Sequence, residues 1–290
     1  MLTIAALLLI LTAEVAVGQD HRVAVEEPIF NMEPNSVDDQ YEGCTKNMEK
    51  LVDTKFHNKE ISGNSAFAAV WKEGERYAKP PGDDLTRNHS IAIYVYTSRK
   101  VYADFIPAVQ NGKQKYKDMT FRWYSLHFLL TEAIQILKKT QKKCQNTFLG
   151  FDTEFSENLL NKEIRFASFE SSFLQQIVFG DKSCFEIDTC EGADLTKYSA
   201  IPGENINEVL IPPYEKFKVT AVHKDTWCKT VYVLEHSGRR SDLNCAVASV
   251  ESLIHHRFTA LAAQNTRELP NRVKGFVETE MEAHILPNSD

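Results

Sequence analysis

The spacing of apolar residues changes midway along this 290-residue chain, and that change limits the folds open to it more than any other feature. In the first half, apolar side chains recur at three-to-four spacing, the period of a helix with one face on a core. Asp39 to Phe56 and Ala66 to Tyr77 follow that period loosely. Phe121 to Lys139 follows it closely: Leu126, Leu129, Leu130, Ala133 and Leu137 share one face, and Lys138–Lys139 suit the negative end of the helix dipole. The second half reads as short β-rich runs: Phe185 to Thr189, Val209 to Ile211, Phe217 to Val222 and Thr230 to Glu235. Turn-forming stretches such as Pro202–Gly203 and Ser237–Gly238 separate them. Ser90 to Thr97 is expected to be an early strand of the same kind. Helices gathered first and strands gathered later predict an α+β fold rather than an alternating α/β sheet.

The two ends speak to compartment. Leu2 to Leu11 is an almost unbroken apolar run, too short to span a bilayer of roughly 30 Å as a helix. Small residues at Ala16 and Gly18 precede polar Gln19, so residues 1–18 read as a secretory signal peptide. Between His255 and Asp290 there is no hydrophobic tail of the kind a glycolipid anchor signal needs. The expectation is a secreted protein without a membrane anchor, folded over residues 19–265, with a loose tail over 266–290.

Six cysteines (Cys44, Cys144, Cys184, Cys190, Cys228, Cys245) fit an oxidising compartment, although spacing alone does not choose their partners. No CxxC occurs, and Cys184 and Cys190 have no histidine at ligand spacing, so no metal site is expected. The sequon Asn88–His89–Ser90 predicts a glycosylated surface loop. With 33 Lys+Arg against 40 Asp+Glu the net charge is −7, which argues against a nucleic-acid partner. No GxGxxG, GxSxG or HExxH is present, and the histidines are scattered.

The stretch from Cys144 to Val219 carries more. It holds Thr147–Phe148–Leu149–Gly150, then Arg165–Phe166–Ala167–Ser168–Phe169–Glu170–Ser171–Ser172, then Asp188–Thr189–Cys190–Glu191–Gly192–Ala193 and Tyr198–Ser199. Glu208–Val209–Leu210–Ile211–Pro212–Pro213–Tyr214–Glu215–Lys216–Phe217 closes the series. Upstream stand Asp38–Asp39–Gln40–Tyr41–Glu42–Gly43–Cys44 and Tyr94–Val95–Tyr96–Thr97. In this order the run resembles the vertebrate ecto-ADP-ribosyltransferases, which use NAD to modify arginine, and the likeness covers roughly Val37 to Cys245.

The resemblance implies a helical N-terminal part packed on a two-sheet β core. It also implies NAD (or NADP) as substrate, an arginine-bearing acceptor protein, and disulfides Cys44–Cys245 and Cys144–Cys190; Cys184 and Cys228 are then extra, and whether they pair with each other is left open. The chemistry resembles glycoside cleavage: a fixed carboxylate stabilises the cation that develops as nicotinamide leaves the ribose. Glu208 matches that carboxylate. Ser171 matches a serine that orients both NAD and the glutamate, while Tyr96 and Ser199 match positions lining the NAD site or serve the core beside it.

Three positions depart from the family pattern. Leu149 stands where the family has a cofactor-holding arginine, Phe173 where it has the last serine of its serine motif, and Ile206 where it has the acceptor-orienting glutamate. Glu204 could bulge into the place of that glutamate, and Arg165 is either a partial substitute for the lost arginine or a structural residue. The departures leave two alternatives beside arginine transfer: a degenerate member that binds without turnover, and an NAD glycohydrolase in which water replaces the guanidinium. Leu149→Arg is expected to raise NAD affinity.

Overall fold

The computed structural model describes residues 31–156, 158–176, 180–201 and 207–249. The expected signal peptide with its cleavage site and the expected tail lie outside these residues, as do Glu204 and Ile206. Among the described residues no helix is long and apolar enough to cross a membrane.

Seven α-helices come first: α1 (Thr45–Leu51), α2 (His57–Gly63), α3 (Ser65–Tyr77), α4 (Arg87–Thr97), α5 (Tyr102–Gln110), α6 (Lys113–Lys117) and α7 (Tyr124–Thr140). A π-helical turn, Val52–Phe56, joins α1 to α2, so the helix expected over Asp39–Phe56 begins later and is distorted within. Asn64 caps α3 by accepting the Phe67 amide. Helix α7 is the centre of the helical part; Leu126, Phe128, Leu130, Ala133, Ile134 and Leu137 are all buried.

One expected strand is a helix. Ser90 to Thr97 belongs to α4, every residue from His89 to Thr97 except Tyr94 is buried, and Thr86 with His89 forms a capping box. A short apolar run enclosed on every side carries no periodicity that separates strand from helix, and here the cap and the packing overrode β-propensity. Asn88 is therefore in the first turn of a helix, exposed but not on a loop.

Eight strands follow: β1 (Gln145–Phe151), β2 (Glu163–Arg165), β3 (Glu170–Phe173), β4 (Ser183–Thr189), β5 (Ala193–Asp194), β6 (Glu208–Ile211), β7 (Glu215–Lys224) and β8 (Thr230–Arg239). They hydrogen-bond in the order β2-β7-β8-β4-β1-β3-β6-β5 as one mixed sheet, rather than as two separate sheets. The join is narrow, since β1 and β3 meet at a single Cα pair, Phe148↔Phe173. On one side of it, Phe169, Ala193, Leu195 and Leu210 pack into the helical core. On the other, Leu149, Phe185, Ile187, Phe217, Val219, Tyr232 and Leu234 form a second core. The fold is α+β, with the helical part on the β3-β6-β5 section.

Three disulfides pair Cys44 with Cys245, Cys144 with Cys190 and Cys184 with Cys228. Beside the first, Arg165 is fully buried and donates to Asp38 Oδ2 at 2.7 Å and to the Met32, Glu33 and Arg240 carbonyls. Its guanidinium is buried and bonded at Nε, Nη1 and Nη2 to the junction between β2 and the ends of the domain, which is a structural part and not that of a substitute cofactor arginine.

Candidate active site

Antiparallel pairing of β3 with β6 sets Phe173 opposite Glu208 and Ser171 opposite Leu210. Side chains two apart on a strand share a face, so Ser171, Phe173, Glu208 and Leu210 lie on one side. There Ser171 Oγ donates to Glu208 Oε1 at 2.7 Å. Ser199 Oγ donates to the other carboxylate oxygen, Oε2, at 3.1 Å. Glu208 is 1% exposed, Ser199 8% and Ser171 9%, so the carboxylate is shielded and the hydroxyls stand at its edge.

The backbone on either side is fixed. Leu195 N–H donates to Glu208 O at 2.8 Å, and Glu208 N–H to Thr196 Oγ1 at 3.1 Å. Ser199 follows β5 in a turn closed by Tyr198 and Ser199 amides on Leu195 O. Thr97 Oγ1, at the end of α4, accepts the Ala200 amide at 2.8 Å and ties that turn to the helical part.

Burial pushes the Glu208 carboxyl up from its usual range. The Ser171 and Ser199 hydroxyls and then the positive charge of Arg99 pull it down, while Asp194 adds to the rise. Two donors aimed at a desolvated carboxylate oppose that rise and favour its anion at a point where water is scarce. The arrangement can stabilise a positive charge that develops beside it.

Behind the serine stand two tyrosines. Tyr102, the first residue of α5, has its hydroxyl 3.4 Å from Ser171 Oγ. Ser171 has one proton and directs it to Glu208, so Tyr102 is the donor in that contact. Tyr96 lies deeper, 1% exposed, its ring 5.0 Å from Tyr102 and its hydroxyl donating to Phe169 O at 3.2 Å. Tyr96 thus supports Tyr102 from the core. Tyr102 was missed by sequence reasoning, which had no pattern to mark a lone tyrosine at a helix start; Thr97 stood inside a quoted motif without an assigned part.

Leu149 lies apart from this group. It is 6% exposed, pairs with Phe185 across β1 and β4, and packs in the second core. Phe173 is 2% exposed and sets a phenyl ring, where the family pattern has a hydroxyl, directly across from Glu208. Among the described residues, His127 is held in the helical core: its Nε2 donates to Val37 O at 3.0 Å while Nδ1 accepts from the Tyr41 hydroxyl at 2.8 Å. Burial lowers its pKa to about 4, which keeps it neutral. Among the described residues one group of possible metal ligands occurs, Cys144, Asp188 and Cys190, and its two sulfurs are bonded to each other.

The model of the NAD:arginine ADP-ribosyltransferase family matches residues 30–242. This chain belongs to that family. It is 30% identical over 279 residues to the erythroblast NAD(P)(+)–arginine ADP-ribosyltransferase of Gallus gallus, covering 91% of this chain and 90% of that one. It is 32% identical over 243 residues to the GPI-linked NAD(P)(+)–arginine ADP-ribosyltransferase 1 of Mus musculus, covering 76% and 73% of the two chains. Among solved structures, the eukaryotic mono-ADP-ribosyltransferase ART2.2 superposes with a TM-score of 0.62 at 26% identity, covering 75% of this chain and 99% of its own. A variant of that enzyme in complex with NAD gives a TM-score of 0.61 at 27% identity. As a member of the NAD:arginine ADP-ribosyltransferases, the chain keeps the family's α+β architecture around the Ser171–Glu208–Ser199 cluster.

Proposed function

We propose that this protein is an arginine-specific mono-ADP-ribosyltransferase that takes ADP-ribose from NAD, with Glu208 as its catalytic carboxylate and Ser171 and Ser199 as the groups that hold it. The observation that carries the reading is the clasp on Glu208, a buried carboxylate with a hydroxyl on each oxygen. Breaking the bond between nicotinamide and ribose leaves the electron pair on nicotinamide and positive charge on the sugar carbon. A desolvated carboxylate fixed in advance stabilises that charge more in the transition state than in the ground state. A guanidinium nitrogen then forms the new bond to the same carbon and gives up a proton.

NAD turnover without a protein acceptor is the second reading, favoured by Phe173, which brings an apolar ring beside Glu208 where the family has a polar group. One experiment separates the two. The purified protein is incubated with labelled NAD and agmatine or polyarginine, following transfer and nicotinamide release. Transfer that Glu208→Gln abolishes supports the transferase; release without transfer supports hydrolysis; silence in both refutes an enzyme.

Action outside the cell is part of the same proposal. Three disulfides favour an oxidising compartment. The relatives include proteins named as ecto-enzymes and as GPI-linked. A released form is the finer proposal; phospholipase treatment of expressing cells distinguishes it from an anchored one. Glycosylation at exposed Asn88 is proposed with it and is read as a mass shift on deglycosylation.

A further inference from the structure

Beside the narrow join of β1 and β3 lies a half-open cavity of about 470 Å³, lined by the end of β1, the link from β2 to β3, the segment before α1 and the end of α5. Phe151, Phe155 and Phe166 give it aromatic walls, and Glu33, Ser168 and Glu170 give it polar groups. Glu170 neighbours Ser171 on β3, and alternation turns its side chain to the other face of that strand. A ligand held by Glu170 is therefore outside the Ser171–Glu208 contact. Ser168 is 2% exposed and its hydroxyl has no hydrogen-bond partner.

The chemistry of the lining selects a ligand class. Burial pushes the Glu170 carboxyl up to about 8 against the one backbone N–H, from Ser171, that favours its charged form. Burial also raises Glu33, against the Asn31 amide and the charge of Arg165, whose guanidinium is already bonded to Asp38. Two carboxyls penalised for their charge gain most from a cation brought close. Aromatic faces favour a cation that is weakly hydrated, as guanidinium and alkylammonium groups are. An anion would make either carboxyl harder still to ionise, and an apolar ligand would leave the Ser168 hydroxyl unpaired.

We propose that this cavity binds a small organic monocation, a guanidinium or alkylammonium compound, with Glu170 as its counter-charge. The proposal stands apart from the part assigned to Glu208. Isothermal titration of the full chain with agmatine and with tetramethylammonium, in the absence of NAD, tests it. At least one of the two binds, and Glu170→Gln weakens that binding by about tenfold or more, whereas Glu208→Gln changes it by less than about twofold. Glu33→Gln weakens it less than Glu170→Gln does, and circular dichroism verifies that each variant is folded. The preferred titrant identifies the cation as guanidinium or ammonium.

Binding that survives Glu170→Gln, or that Glu208→Gln removes, overturns the proposal, as does the absence of binding by both compounds. A third titration, with 1-methylnicotinamide, covers the other source of an organic cation. If only that pyridinium binds, the cavity is an extension of the nucleotide site and the proposal fails.

Discussion

Replacing Ser171 with alanine tests the site at its narrowest point. The hydroxyl makes a 2.7 Å hydrogen bond to a carboxylate that is 1% exposed, so its loss removes a bond to a charged group in a nearly dry place. Such bonds contribute about 1.5–3 kcal/mol. At about 1.36 kcal/mol per decade, that is a fall of roughly 10- to 150-fold in nicotinamide release from NAD. Water entering the vacated space restores part of the bond, since Ser171 is 9% exposed, and this favours the lower half of the range. The same change removes the strongest influence holding the Glu208 carboxyl down against burial. The acid limb of the pH–rate profile should therefore move upward, with the rate at high pH recovering part of the loss. Ser171→Thr keeps the hydroxyl and should stay near the parent. A fall below about threefold, with the acid limb unmoved, would refute the assignment of Ser171 as the group that keeps Glu208 ionised.

Four further expectations rest on other parts of the molecule. Arg165→Met leaves Asp38 buried without its partner and should destabilise the fold by about 3–5 kcal/mol in urea, with Asp38→Asn recovering part of the loss in the double variant. His236 is held above its usual pKa first by its hydrogen bond to Glu215, so its contribution is full below the unfolded value and is lost as pH rises through the folded one. His236→Gln should accordingly lower the urea midpoint at about pH 6 and have little effect at about pH 9. Replacing Cys184 and Cys228 together by serine opens a link of 44 residues and should cost up to about 4 kcal/mol, read as a lower thermal midpoint. Leu149→Arg should raise NAD affinity while lowering the melting temperature, because the new charge starts from a position 6% exposed in an apolar cluster; unchanged affinity would remove Leu149 from the cofactor site.

What could be read in advance divides by the range of the forces involved. Helix α7 was legible because its apolar residues repeat along the element that they bury. Strands β4, β6, β7 and β8 were legible for the same local reason, with β7 and β8 running on to Lys224 and Arg239, whereas the pattern gave no run for β1, β2, β3 or β5. Helix α4 was not, since its burial comes from neighbours on every side and its cap lies outside the misleading run. The single join between β1 and β3 is likewise invisible along the chain, because no residue marks where two strands stop pairing.

The candidate site follows the same division: motifs marked Glu208, Ser171 and Ser199, but gave no part to Tyr102 or Thr97. Glu208 and Ser171 are 37 residues apart, and they meet because β3 and β6 are neighbours in register, a relation that only the resemblance could supply. Tyr102 and Thr97 reach the site from the helical part, one through Ser171 and one through the Ser199 turn. Their hydroxyls restrain groups that themselves touch Glu208, so the carboxylate's position depends on how α4 and α5 seat against the sheet. A variant that loosens that seating without touching β3 or β6, such as Thr97→Val, should lower the rate through Ser199 alone and leave the Ser171 contact in place. If the rate instead followed only substitutions on β3 and β6, the helical part would be a passive support, and the clasp would be a property of two strands rather than of the whole fold.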